Sequence, residues 1–560
     1  MRRSLLAAAL TLGLTAPAWA DAPGDVRQGR DALRNGDYGA VVSRLTAAID
    51  AGTLKGDRLG EAYRIRSSAH FQLKDLRQAF ADVSQALNLN GRDAAALGLR
   101  CQIHAAAGNL DAAQKDLGAA QATNAKAADA QVCQAGIAVR QRRFPDAIAA
   151  YDRAIQLGDD RLDIKANRAI AIAMSGRLPD AVAAMDQVIA GGRSAAPSQR
   201  AEWLVSRGRL LAAMGKPDLA LKDLDEAIRL DPKTGEAGER HYLRARLLND
   251  AGQHERALAD LNTALQLEQQ APDARKALLF ATRGTAYAGK GDYARAVADI
   301  DGAISLGKEV PPPVVASWYL IRARANRAAG HPDMALQDYA AALSVQPESV
   351  EARAERGELL LRQGKVDQAL ADFREAVKRA PNVPVTHSWL GWALADKGDY
   401  AQAIASASRI VELRPQDFLG YWDRGVFQFL QGRYAEATGD LDRAAAIEPR
   451  NGAAALLAHV ARVRAGDRQT DLLAERAKSL DLSRPPGPLI RLFLGQASAD
   501  EVLQGKEMQN PSTLFYVGQY HLIAGNTGRA AELFRMAVQT EQRQYLEHTA
   551  ARAELARSRG

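Results

Sequence analysis

What chemistry the chain offers rests on two cysteines, nine histidines and a recurrent set of arginines and tryptophans. Cys101 and Cys133 could pair if the compartment is oxidising. Otherwise they are two small residues packed in a core, the reading the sequence favours. A bridge needs α-carbons within about 7 Å, and spacing alone does not supply that distance. Two thiols are too few for a cysteine-rich zinc or iron–sulfur module. The histidines are scattered singly, without the i, i+4 pairing that holds a metal on a helix face. There is no nucleophile elbow and no phosphate-cradling glycine loop. Ala-Gly-Lys-Gly-Asp-Tyr from Ala288 has some of that wording but falls in a turn between helices. Glu547 and His548 could be imagined as a base and its orienter. On a charged terminal helix they read instead as an exposed polar pair. The sequence therefore points away from an enzyme, and no cofactor or metal is expected.

The chain has 560 residues, 47% hydrophobic and 25% charged, so it is globular rather than disordered. Aromatics are only 6%. β-branched runs are scarce, which disfavours a large sheet. The net charge of +7 is a mild bias over this length and does not imply nucleic acid.

A six-residue block recurs: Gly, a polar residue, a large apolar residue or Pro, two variable residues, then Ala. Blocks end at Val41, Ala79, Ala113, Ala147, Ala181, Ala220, Ala257, Ala296, Ala335, Ala369, Ala403 and Ala437. The commonest interval is 34 residues, and the longer steps of 37 to 39 read as insertions. At the blocks ending in Ala79 and Ala147 the glycine is lost. A 34-residue period with this wording resembles the tetratricopeptide repeat. With the block-ending Ala at repeat position 20, Gly208, Gly284, Gly357, Gly391 and Gly425 occupy position 8. Leu224, Phe373 and Leu441 occupy position 24, and Pro232, Pro347, Pro381, Pro415 and Pro449 position 32. Arg replaces the family's Leu at position 7 in most units. The resemblance implies an all-α fold, a right-handed superhelical solenoid of stacked helix-turn-helix units, because no unit can bury its apolar stripe alone.

The array spans 21–450 as about twelve units. Residues 451–510 read as degenerate helices with a Pro-rich break, and 511–560 as a last unit with a solvated capping helix. This tail is similar to the C-terminal repeat of NlpI-type envelope adaptor lipoproteins in Phe515, Tyr516, Gly518, Tyr520, Phe534, Tyr545, Glu547 and His548. The lipid-bearing cysteine of that family is missing.

In such a repeat, positions 5, 9 and 12 line a concave groove. Here that stripe gives Arg209, then Tyr242, Arg246 and Asn249, then Leu320, Arg324 and Arg327. Glu358, Trp392, Trp422, Val426 and Phe429 follow. The expected partner-binding residues are Arg209, Tyr242, Arg246, Arg324, Arg327, Trp392, Trp422 and Phe429, since Trp and Arg most often anchor interfaces. The position-7 arginines read as structural, their heads paired with acids. The first 20 residues read as a cleaved secretory signal. Arg2 and Arg3 are followed by an apolar stretch and then Ala18-Trp19-Ala20. The overall expectation is a non-enzymatic periplasmic scaffold. It would bind protein partners, as extended segments or as envelope enzymes such as peptidoglycan hydrolases or proteases. The alternative is a structural component of an exopolysaccharide or outer-membrane export machine.

Overall fold

A computed structural model describes residues 22–233, 236–540 and 546–558. The expected signal segment lies outside the described residues. Those residues form helix after helix with no strand, so the chain is all-α.

The block explains each helix pair. Its glycine ends the first helix (A) of a unit in the left-handed region, as at Gly291 (φ 81°) and Gly330 (φ 83°). Where the glycine is lost, Lys74 and Arg142 are forced into that region, at φ 64° and 59°. This costs each about 1 kcal/mol. Where the polar residue is Asp, it caps the second helix (B). Asp37, Asp292 and Asp399 accept from the backbone N–H three residues on, at 3.1 to 3.2 Å. Position 8 must be small. An added Cβ at Gly357 would come within 2.7 Å of the Phe373 ring, and one at Gly425 within 2.8 Å of Leu441. The insertions of the longer units mostly add a turn to helix A. Gly56–Gln72, Pro197–Ala213, Asp273–Gly289 and Pro312–Ala328 have 17 residues, where Ala94–Ala106 has 13.

The position-7 arginine ties the units together. Arg66 grips Asp82, Arg100 Asp116, Arg207 Asp223, Arg244 Asp260, Arg356 Asp372 and Arg424 Asp440, each with two nitrogens and each 16 residues apart. Arg322 does the same to Asp338 through one oxygen. These bonds join helices A and B of one unit. A third nitrogen often reaches helix B of the preceding unit: Arg207 to Asp186 at 2.6 Å and Arg244 to Asp225 at 2.7 Å. Arg168 has Ala184 where the acid would be, and it uses only the preceding unit's Asp152, at 2.5 Å. In the first unit the polarity is reversed, with Arg44 donating to Gln28 at 2.6 Å. The bonds to Asp82 hold the Arg66 guanidinium above its usual range. Burial pushes Asp260 up, but the bonds from Arg244 and His241 outweigh it and leave its carboxyl below the usual range.

The described chain divides into two compact units, 22–291 and 292–558. In the first, the stack comes round on itself. The Ala196 N–H donates to the Asn35 carbonyl at 2.9 Å, and Gln72 Nε2 donates to Asp163 Oδ2 at 3.0 Å. Lys74 pairs with Glu236. The inserted residues 191–200 supply the first of these contacts through Ala196. Cys101 and Cys133, in the adjacent A helices Ala94–Ala106 and Ala128–Arg140, form a disulfide with α-carbons 5.8 Å apart. Both are fully buried.

In the second unit, four full helix pairs from Pro312–Ala328 to Tyr434–Ile447 are followed by Gly452–Arg464, short helical pieces, and the pair Pro511–Ile523 and Thr527–Gln539. The closing helix Leu546–Arg557 is not the solvated cap its charges suggest. His548, Ala550, Ala551, Ala553 and Glu554 are buried, because its charged groups pair inward. Glu547 and His548 are thus not an exposed pair; burial pushes the Glu547 carboxyl up while Ser512 hydrogen-bonds it.

Three outcomes check this account. Arg356→Ala strands the nearly buried Asp372, so it should lower stability by ~2–4 kcal/mol, with Arg356→Ala/Asp372→Ala recovering part of the loss in a urea double-mutant cycle. Arg362→Ala, which removes an exposed i, i+4 pair with Glu358, should cost no more than about 0.5 kcal/mol. Replacing both cysteines by Ala should lower the melting temperature of the first unit, the bridge contributing about 2–4 kcal/mol.

Candidate partner-binding groove

The A helices carry the groove stripe, and position 9 of several reaches toward the next A helix. Arg324 donates to Glu355 at 2.5 and 3.0 Å and also pairs with Glu351. Arg327 sits 3.6 Å from Glu358, and Arg209 2.7 Å from Glu239. Arg30 pairs with Glu61 one unit on. These acids stand at positions 2, 6 or 9 of the following unit. The stripe read as basic is therefore largely neutralised by its neighbour. The bonds it donates to Glu355 hold Arg324 above its usual range.

Arg246 is different. It is exposed, and the next A helix offers Leu278 and Thr282 at positions 2 and 6, where an acid would stand. Its guanidinium lies 5.9 Å from the Tyr242 ring. Tyr242 itself is buried, with Arg275 stacked 4.5 Å from its ring centre. Arg275 is in turn held by Glu268 at 2.6 Å and Glu239 at 2.8 Å. Lys74, Arg209, Glu236, Glu239 and Arg275 line an open cavity of about 560 Å³ in the first unit. Tyr242 is thus buried beneath Arg275 rather than a free anchor.

The aromatic end is more deeply packed than its stripe position implies. Phe429, expected as an anchor, is only 1% exposed and is core. Its ring meets Tyr434 at 5.3 Å and Phe515, from the terminal helix pair, at 6.3 Å. Val426 and Leu320 are also buried. Trp392 and Trp422 are half-buried. Trp422 stacks on Phe418 at 5.7 Å, and Trp392 meets the edge of Phe427 at 5.1 Å. The structure brings Trp392 and Trp422 to adjacent A helices, Pro384–Lys397 and Phe418–Gln431.

Between them stands Asp423, which sequence reasoning passed over. It is fully buried and has no cationic partner, accepting from Ser388 Oγ at 2.6 Å and Trp392 Nε1 at 3.0 Å. Burial pushes its carboxyl up to about 6, against the opposing pull of the two hydrogen bonds. The readable signal was its register. Trp392 at position 9 faces Asp423 at position 6 of the next unit, as Arg324 faces Glu355. Among the described residues no cluster of His, Cys, Asp and Glu could hold a metal, and no helix is long and apolar enough to cross a membrane.

Asp423 gives a signed pH prediction. Its folded value lies above its unfolded one, so the native state holds the proton more tightly. The stabilisation is complete below about pH 4 and is lost as pH rises through 6. In Asp423→Asn the amide oxygen can accept from Trp392 Nε1 and the amide nitrogen can donate to Ser388 Oγ, so both contacts persist, the second reversed, without the buried charge. The substitution should raise stability at pH 7–8 by on the order of 2 kcal/mol and leave stability at pH 3.5 nearly unchanged, read as melting temperature against pH.

Comparison with known proteins bears on the fold. A tetratricopeptide repeat model matches residues 99–161, 134–199, 205–279 and 322–384, and a second such model matches 360–422. No curated protein matches the chain. Among solved structures, yeast Tom70 is similar at 15% identity, covering 82% of this chain and 99% of that one, with a TM-score of 0.36. The Cut9–Hcn1 complex of the APC/C matches at 12% identity over 86% of this chain and 97% of that one, TM-score 0.34. YrrB, described as a tetratricopeptide repeat protein with an unusual peptide-binding site, matches at 22% identity over 35% of this chain and 95% of that one, TM-score 0.28. The helix pairs, the glycine-capped turns and the repeat models agree: this chain is a tetratricopeptide repeat protein.

Proposed function

We propose that the protein is a non-enzymatic scaffold of the bacterial periplasm that holds a protein partner in the groove of its A helices. The observation that carries this reading is the groove itself. Within each compact unit successive A helices present one face, and in the first Arg246 stands as an exposed cation one repeat beyond Arg209, whose charge Glu239 already meets. A surface that is mostly neutralised resists non-specific binding, and a charge left open adds selectivity and a faster encounter. The leader-like residues 1–20 and the buried Cys101–Cys133 bridge support an exported location. The wording of the tail supports an adaptor of cell-envelope enzymes.

The test is capture from an envelope extract by the exported protein, with the retained proteins read by mass spectrometry. N-terminal sequencing should find the chain starting at Asp21. A captured protein should bind Arg246→Glu at least about fivefold more weakly at low salt, roughly 1 kcal/mol, with the difference fading in high salt as screening grows. Arg324→Ala should change binding less, because its charge already serves Glu355. No retained protein, or a partner equally tight with Arg246→Glu, would remove the groove reading.

A further inference from the structure

The closing helix Leu546–Arg557 packs on the last helix pair and then reaches further than a cap needs to. Arg552 donates to the Asp396 carboxylate at 3.1 Å and to the Asp396 carbonyl at 2.8 Å. Arg557 donates to the Leu430 carbonyl at 2.5 Å. Asp396 and Leu430 both stand at repeat position 13, one unit apart, near the ends of the A helices Pro384–Lys397 and Phe418–Gln431. Carbonyls there have no partner within their own helix, and the helix dipole adds negative charge. Glu554, 4% exposed, accepts from Arg464 at 2.8 Å and from Gln519 at 2.9 Å. Those two belong to the A helices Gly452–Arg464 and Pro511–Ile523. One helix thus touches four A helices, which places it across the face that they share.

We propose that this helix is a displaceable internal ligand of its own unit's groove. The site it fills is then a receptor for an arginine-bearing helix of a partner protein. This rests on the scaffold reading above. The bound segment shows the chemistry the site recognises. Two arginines five residues apart, about 7.5 Å along a helix, meet the A-helix ends of consecutive units. An acid between them enters the slot of Arg464, Gln519 and Tyr434. A partner helix carrying Arg-x-Glu-x-x-Arg reproduces all three contacts. The tethered copy competes at high effective concentration, so the site opens only to a partner that binds better or when the tether is loosened.

The experiment uses a labelled peptide of residues 546–557 and the full-length chain, read by fluorescence anisotropy. The wild type, Arg552→Glu/Arg557→Glu and Asp396→Ala are compared, with helicity followed by circular dichroism. The double variant loosens the tethered helix without altering the site. It should bind the peptide at least tenfold more tightly than the wild type does, and should not bind a peptide with both arginines replaced by Ala. Asp396→Ala alters the site itself and should bind the native peptide more weakly than the double variant does. Two results overturn the proposal: no peptide binding by a double variant of wild-type helicity, or loss of helicity beyond the closing helix, which would make it an integral part of the core. Partner capture without peptide binding removes this proposal and leaves the scaffold reading standing. Absence of capture by wild type and double variant alike removes the scaffold reading.

Discussion

The bond between the position-7 arginine and the aspartate 16 residues later is the interaction on which the stack depends. A tetratricopeptide unit is normally joined by apolar packing at this position. Here a planar guanidinium spans three helices at once, two of its own unit and one of the unit before. The carboxylate is nearly buried, so its desolvation is offset only while both prongs are made. Such a joint is directional in a way that leucine packing is not, because the fork fixes the rotation of one helix pair against the next. Where the unit carries Leu390 instead, position 23 is Ser406, and both members of the pair have changed together.

The same logic governs the concave face. In the A helix Pro197–Ala213, Arg209 at position 9 reaches the following repeat as Arg207 at position 7 reaches the preceding one, so that helix is tied both forwards and backwards. Trp392 and Asp423 are the uncharged version of that forward tie. A groove built this way is stiff, and its side chains are already arranged before any partner arrives, which lowers the ordering cost of binding.

The fold was legible in the sequence because it is written many times over. Glycine, cap and small residue recur at fixed spacing, and each means one local thing. The 34-residue period even located the strained turns at Lys74 and Arg142, as the places where glycine is lost. The groove was only partly legible. Stripe position identified which residues face the A-helix surface but not what else reaches them. Arg324 looked like a free cation because its acid, Glu355, sits in the next repeat. Phe429 looked like an anchor because Phe515, which covers it, lies more than eighty residues further along the chain. Long-range returns of this kind leave no periodic trace.

The closure of the first unit has a consequence for how this array can change over time. An open stack gains or loses whole repeats at little cost, because each touches only its neighbours. Here Asn35 meets Ala196 and Gln72 meets Asp163, contacts that skip several repeats. Deleting or duplicating any one repeat between them would shift the two faces out of register. The first unit has therefore exchanged modularity for a fixed copy number, and inheritance there must proceed by substitution within repeats rather than by adding or dropping them.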